Sequence, residues 1–184
     1  MIAYIVCEGS TDVKLLQRIL PEELLKDVEI VPAGGLFAIK SLARSLVVSR
    51  QVPVAIVADA DTVDSNVIQE RISSIEEMVQ SVAIHTPVKV ILAVPSIEIF
   101  FFEDIRLLSH LLEYDPSQAQ EMMNLAKSQP DKAIGKFLDR SHEYSKRNGL
   151  INQLTNDDLE ILRKVPFMQE IIYFLQSVQE TAKV

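Results

Sequence analysis

The sequence predicts an α/β protein: a mostly parallel, four-stranded, Rossmann-like sheet flanked by helices, followed by a helical C-terminal extension. Three observations predict it. Up to Val94 the chain carries short, continuous, β-branched apolar runs, the signature of strands buried on both faces. Segments of helical length and spacing lie between those runs, which is the order of right-handed βαβ units. From Ile97 onward the strand pattern stops and only helical spacing remains.

Ile2–Val6 is the first apolar run, and Glu8 breaks its pattern. Ser10 and Thr11 are candidate N-caps for a stripe of Leu15, Leu16, Ile19 and Leu20 that stops at Pro21. Val28–Val31 is the second strand. Gly34 and Gly35 follow it and open a stripe of Leu36, Ile39, Leu42, Leu46 and Val47. These glycines either offer backbone N–H groups to a phosphate or form an ordinary turn into the helix. Val52–Val57 is the third strand, followed after Ser65 by Ile68, Ile72, Ile75, Met78, Val79 and Val82, and Val88–Val94 is the fourth. Ile99, Phe102, Ile105, Leu108 and Leu112 then keep helical spacing. So do Ala119, Met122, Met123 and Ala126, and later Phe167, Ile171, Phe174 and Leu175. Ser145–Asn152, with Gly149, reads as a loop. The expected division is an α/β core over residues 1–103 and a helical extension over 104–184 packed on it.

Composition narrows the function. A chain of 184 residues, 48% apolar and 24% charged, can bury an ordinary core, so global disorder is excluded. Eighteen basic residues against 26 acidic ones give a net charge of −8, which argues against a general basic coat for nucleic acid or anionic lipid. A single cysteine excludes an internal disulfide framework and a thiolate zinc cluster, as expected in a reducing cytoplasm. The opening MIAYIVCEGSTD has no basic leader, and no apolar stretch suffices to span a bilayer. The expectation is a soluble cytoplasmic protein with no membrane partner, its oligomeric state open.

Ligands of a parallel sheet gather beyond the carboxyl ends of its strands. The first strand runs into Glu8-Gly9-Ser10-Thr11-Asp12, the third into Asp59-Ala60-Asp61 with Asp64 close behind, and the fourth into Pro95-Ser96-Ile97-Glu98. Crowded carboxylates repel unless a cation sits among them. Hard divalent ions take such oxygen donors, and two ions about 4 Å apart can clamp a phosphoryl transfer. Glu8 and Asp12 stand at i and i+4 across a strand-to-helix turn and can face one point. Asp59 and Asp61 alternate, sharing a side if the strand continues. Taken singly, Asp12 and Asp64 also read as helix caps, and Glu98 as the acidic opening of a helix. Acidic residues after three strands together point to a shared metal site.

These motifs resemble the Toprim domain, the catalytic module of topoisomerases, bacterial primases, small maturation ribonucleases and the OLD (overcoming lysogenization defect) nucleases. The resemblance covers residues 1–103: Glu8 in Val6-Cys7-Glu8-Gly9 matches the family's first Glu, and Asp59 and Asp61 match its DxD. The OLD branch looks closest, since Glu8 and Asp12 match its ExxxD, Ser96 and Glu98 its SxE, and Gly34-Gly35 its usual glycines. Two features depart from other branches: Asp61 is followed by Thr62-Val63-Asp64 rather than completing DPDxxG, and Ser10 stands where Lys often follows the first Glu-Gly. The resemblance implies a nuclease dependent on Mg²⁺ or Mn²⁺, acting on DNA ahead of RNA, with Glu8, Asp12, Asp59, Asp61 and Glu98 as metal ligands and Ser96 as an accessory donor. Glu8 is either a ligand or the general acid or base, the role of the first Glu in the topoisomerase branch. Full-length OLD proteins carry an ATPase domain. This sequence has no G-x-x-x-x-G-K-[ST] loop, so an ATPase partner would be a separate polypeptide. An RNA-processing nuclease and a non-catalytic, metal-binding subunit of such a partner are the alternatives.

Charge is uneven. From Lys127 to Arg147 six basic residues (Lys127, Lys132, Lys136, Arg140, Lys146, Arg147) face three acidic ones (Asp131, Asp139, Glu143), a net of +3. Lys132, Lys136 and Arg140 recur every four residues, so a helix presents them as one stripe able to meet successive phosphates. The OLD resemblance implies a downstream lysine that stabilises charge developing on phosphate, and Lys132 or Lys136 is the nearest candidate. A solvated face bridged to Asp139 or Glu143 is the competing reading. Cys7 reads as a small core residue, His85, His110 and His142 share no metal-ligand spacing, and Phe100, Phe101 and Phe102 read as a packing anchor.

Overall fold

The computed structural model describes residues 1–83, 85–140 and 144–182. Four strands form one parallel sheet: β1 (Ala3–Cys7), β2 (Val28–Pro32), β3 (Val54–Asp59) and β4 (Val88–Ala93), in the order β2-β1-β3-β4. Each strand lies within two residues of its apolar run. β1 and the first five residues of β3 are buried throughout, because helices cover both faces of the sheet.

Alternation sorts the sheet residues between two cores. Tyr4, Val6, Val54, Ile56, Ala58, Val88 and Val90 face α3 (Leu36–Arg50) and α4 (Ser65–Gln80), which supply Ile39, Ala43, Val47, Ile75 and Val79. Ala3, Ile5, Cys7, Ala55, Val57, Ile91 and Ala93 face the other way, into a larger core. That core takes in α1 (Ser10–Ile19), the short α2 (Glu22–Leu25), a 3₁₀ helix (Ile97–Phe102) and the C-terminal helices. These are α5 (Ile105–Leu112), α6 (Pro116–Ser128), α7 (Pro130–Arg140), α8 (Tyr144–Gln153), α9 (Asn156–Arg163) and α10 (Pro166–Thr181).

Two expectations change. The stripe from Ile99 to Leu112 is two helices, because Asp104 caps a new one by accepting the amide of Arg106. Ser145–Asn152 is not a loop but lies within α8, where Leu150 and Ile151 are buried and the helix packs on α1. Tertiary burial outweighs the helix-weakening Gly149 there.

Phe100, Phe101 and Phe102 form the expected packing anchor. All three are buried, with Phe100 against Phe167 at 4.7 Å between ring centroids, and Phe101 and Phe102 against Phe137 at 5.3 and 5.6 Å. Phe137 thereby fixes α7 onto the 3₁₀ helix. No helix among the described residues is long and apolar enough to cross a membrane.

Candidate metal centre

The sheet register brings the three acidic strand ends to one edge. Cys7 pairs with Val57 and Asp59 with Ala93, so Glu8, Asp59 and the Pro95–Glu98 segment emerge side by side. Hydrogen bonds lock them together. Glu8 Oε1 accepts the amide of Asp59 at 3.0 Å, Asp59 Oδ1 accepts the amide of Ile97 at 3.0 Å, and Glu98 Oε2 accepts the hydroxyl of Ser96 at 2.6 Å. Each strand end therefore holds the next through a carboxylate. Ser96 acts on the site through Glu98, to which its hydroxyl is donated.

The carboxylates raise one another's proton affinity. Burial lifts the pKa of Asp59 to about 8, with the Glu98 charge next, against the lowering effect of the Ile97 amide. Glu8 is raised too, first by burial and then by Asp61 and Asp12, while the Asp59 amide and Arg71 pull it down. Removing two like charges from water and placing them together favours the neutral acid unless a cation intervenes.

Asp61 is placed differently. The strand ends at Asp59, and Asp61 adopts a left-handed backbone with φ 51°, its amide donating to the carbonyl of Pro95 at 2.9 Å. The expected alternation of Asp59 and Asp61 on one side of a continuing strand is therefore broken. Asp61's side chain is 64% exposed and pairs with Arg71 Nη1 at 3.6 Å. Arg71 also donates to the carbonyl of Ala60, fastening α4 to the loop.

The two cap candidates separate less sharply. Asp64 is the N-cap of α4, accepting the amides of Asn66 and Val67. Asp12 accepts the amide of Gly9 at 2.8 Å, yet it also lines, with Glu98, a cavity of about 20 Å³ walled by Phe101, Phe137, Leu150 and Ile151. Thr11 opens onto this cavity, and its buried hydroxyl has no hydrogen-bond partner among the described residues.

The glycine pair is resolved. Gly34 and Gly35 donate their amides to the carbonyl of Glu8 at 2.9 and 3.1 Å, so those N–H groups brace the first acidic residue and are not open to a phosphate. Both have positive φ, 87° and 120°, which glycine supplies and a side chain would oppose even though space is open around them.

The donor set fits a hard divalent cation in chemistry. The second carboxylate oxygens of Glu8 and Asp59 take no hydrogen bond from a described residue, and an orphaned hydroxyl lies beside Asp12 and Glu98. As they stand, no three His, Cys, Asp or Glu side chains among the described residues are gathered about one point.

Two lysines of the basic stretch lie on α7. Lys136 lines a groove with Tyr114, Gln118, Glu121 and Asp139 between α6 and α7, and Lys132 is exposed on α7. Neither lysine forms an ion pair with a described carboxylate. The side chains of Arg140, His142, Glu143, Lys146 and Arg147 lie outside the described residues. Cys7 is core: it is fully buried, and burial pushes its thiol up to about 12. His110 meets the buried Asp158 at 3.0 Å, a tie between α5 and α9. Sequence reasoning missed Arg71 and Thr11. The one signal for Arg71 was its place seven residues after Asp64, two helical turns along one face of α4.

No protein-family model matches the chain, and no curated protein matches it in sequence. Solved structures do match in fold. The C-terminal region of the OLD protein of Xanthomonas campestris pv. campestris aligns over 99% of this chain and 98% of its own, with a TM-score of 0.56 and 10% identity. The C-terminal region of the Burkholderia pseudomallei OLD protein aligns over 96% of this chain and 98% of its own, with a TM-score of 0.50 and 14% identity. The chain thus has the Toprim-like fold of OLD C-terminal regions along almost its whole length.

Proposed function

We propose that this protein is a divalent-metal-dependent nuclease that hydrolyses phosphodiester bonds, DNA ahead of RNA, by a two-metal mechanism like that of the OLD nucleases. The observation that carries the proposal is the set Glu8, Asp59 and Glu98 at three neighbouring strand ends, where Glu8 holds the Asp59 amide, Asp59 the Ile97 amide and Glu98 the Ser96 hydroxyl. Like charges held this close are a standing cost that binding of Mg²⁺ or Mn²⁺ removes.

Glu8, Asp59 and Asp61 would hold the metal, joined by Asp12 and Glu98, with Ser96 orienting Glu98. When bound, Mg²⁺ or Mn²⁺ supplies Lewis acidity toward phosphate and activates water for attack on phosphorus. The chain's own residues do the rest. Asp59, whose proton affinity burial raises, would have to be ionised to ligate such an ion. As general acid rather than ligand, Glu8 has the raised proton affinity that suits it to carry a proton to the departing oxygen. Lys132 and Lys136 sit on α7, which packs on the 3₁₀ helix bearing Glu98, and are assigned to phosphates flanking the scissile one. A separate ATPase partner is compatible with this assignment.

The test is digestion of single-stranded DNA, duplex DNA and structured RNA, side by side, in Mg²⁺, in Mn²⁺ and in EDTA. Cleavage confined to the divalent ions and lost in Asp59→Asn supports the proposal. Cleavage that persists in EDTA or in both Asp59→Asn and Glu8→Gln contradicts it. Metal-dependent thermal stabilisation without turnover until a partner is added would assign the chain a non-catalytic role.

A further inference from the structure

Phe37 is 94% exposed, the largest exposure among the big apolar side chains described. An aromatic ring left almost wholly in water on a well-packed helix has no role in the core. Its place is specific: it is the second residue of α3, two positions after Gly35, whose amide bonds the carbonyl of Glu8 at 3.1 Å. The ring therefore stands at the same edge of the sheet as the carboxylates.

The helix behind it is basic. Between Glu29 and Asp59 the chain holds no acidic residue and three basic ones, Lys40, Arg44 and Arg50, in a protein of net charge −8. Phe37, Lys40 and Arg44 fall at i, i+3 and i+7 on α3, with Phe37 and Arg44 exposed and Lys40 half-buried at the flank of the stripe formed by the buried Ile39, Ala43 and Val47. The stripe extends about 10 Å from the ring to Arg44. Neither Lys40 nor Arg44 is ion-paired with a described residue. An exposed ring followed by unpaired cations is the combination that holds an unpaired nucleic-acid strand, with a base on the ring and the backbone along the charges.

We infer that α3 is the substrate platform of the metal centre: Phe37 stacks an unpaired base next to the scissile phosphate while Lys40 and Arg44 take the neighbouring phosphates, so that the substrate is single-stranded nucleic acid. This rests on the proposed nuclease function and adds its substrate class. Stacking is sequence-tolerant, so no base preference is expected from Phe37. A partner protein or a second copy of this chain covering Phe37 together with the exposed Val63 and Val67 is the competing occupant.

The experiment is binding of a 12-nucleotide single-stranded DNA carrying one 2-aminopurine, in Ca²⁺, with parallel cleavage in Mg²⁺. Phe37 touches almost nothing, so Phe37→Ala leaves thermal stability unchanged and isolates the contact. The expected result is a fall in affinity of about 5- to 30-fold, with loss of the 2-aminopurine quenching. Phe37→Trp retains both. Phe37→Leu, apolar but not aromatic, loses them. Lys40→Ala and Arg44→Ala each reduce the salt slope of binding by about one, whereas Phe37→Ala leaves that slope in place. Wild-type cleavage with Phe37→Ala binding as tightly as wild type overturns this inference alone. So does a change of oligomeric state in Phe37→Ala, which would assign the ring to a protein contact. A wild type that neither binds nor cleaves any nucleic acid overturns the nuclease function, and this inference with it.

Discussion

Asp59 and Asp61 stand two residues apart at the same strand end and live in opposite surroundings. Asp59 is enclosed between Glu8 and Glu98, spends one oxygen on the Ile97 amide, and is pushed up to about 8. Asp61, turned out by a left-handed backbone, lies in solvent beside Arg71. The contrast follows from the two faces of the sheet. The face toward α1, the 3₁₀ helix and the C-terminal helices is thickly covered and encloses Glu98, Thr11 and Asp12. The face toward α3 and α4 is covered by those two helices and leaves Asp61, Val63 and Phe37 in water. One edge thus offers an enclosed half that perturbs protons and an open half that a polymer can reach.

That division can be broken at several points. The largest effect is expected on the enclosed half. Asp59→Asn and Glu8→Gln each lower initial rates on a labelled oligonucleotide by at least ~100-fold, more than loss of an outer-shell group costs, while Asp61→Asn, at the exposed ligand position already paired with Arg71, costs about 10-fold. Equal losses at Asp59 and Asp61 would erase the distinction.

Next comes the packing that encloses the site. Phe137→Ala removes the ring between Phe101 and Phe102 and destabilises by about 3–5 kcal/mol in urea unfolding. Val63→Ala, on the open side, stays within about 0.5 kcal/mol.

The third effect is one of pH. Asp59's folded pKa lies above its unfolded value, so between about pH 4 and pH 8 the folded state holds a proton that the unfolded chain has released. Metal-free stability therefore falls as pH rises through that window, and levels off above pH 8. Asp59→Asn removes this pH-dependent loss and stabilises the metal-free protein at pH 8, seen as a raised Tm. Saturating Mg²⁺ flattens the wild-type profile.

The smallest effect is expected at the helix caps far from the site. Asp115→Ala, which removes the acceptor for the amides of Ser117 and Gln118, costs about 1 kcal/mol and leaves cleavage unchanged.

The sheet and the three acidic strand ends were legible in the sequence because both depend on local patterns. A strand buried on two faces must be continuously apolar, and a strand end is marked where the first charge appears, as at Glu8 after Cys7. The C-terminal half was less legible. α8 begins Tyr-Ser-Lys-Arg-Asn-Gly and reads as a turn until α1 covers Leu150 and Ile151. The 3₁₀ helix and α5 share one apolar stripe that only the Asp104 cap divides. In the site, the outward turn of Asp61, the brace of Gly34 and Gly35 on Glu8, and the tie from Arg71 to Ala60 and Asp61 depend on contacts between separate segments, which periodicity does not encode.

The central claim is that the Asp59 proton gives way to a divalent cation. The most direct measurement is calorimetric titration of Mn²⁺ at pH 7 in buffers of different ionisation enthalpy, for wild type and Asp59→Asn. Saturable binding with release of most of one proton is expected in wild type, and weakened binding with little proton release in Asp59→Asn. No binding heat at any Mn²⁺ concentration, or the same proton release from both proteins, would contradict it.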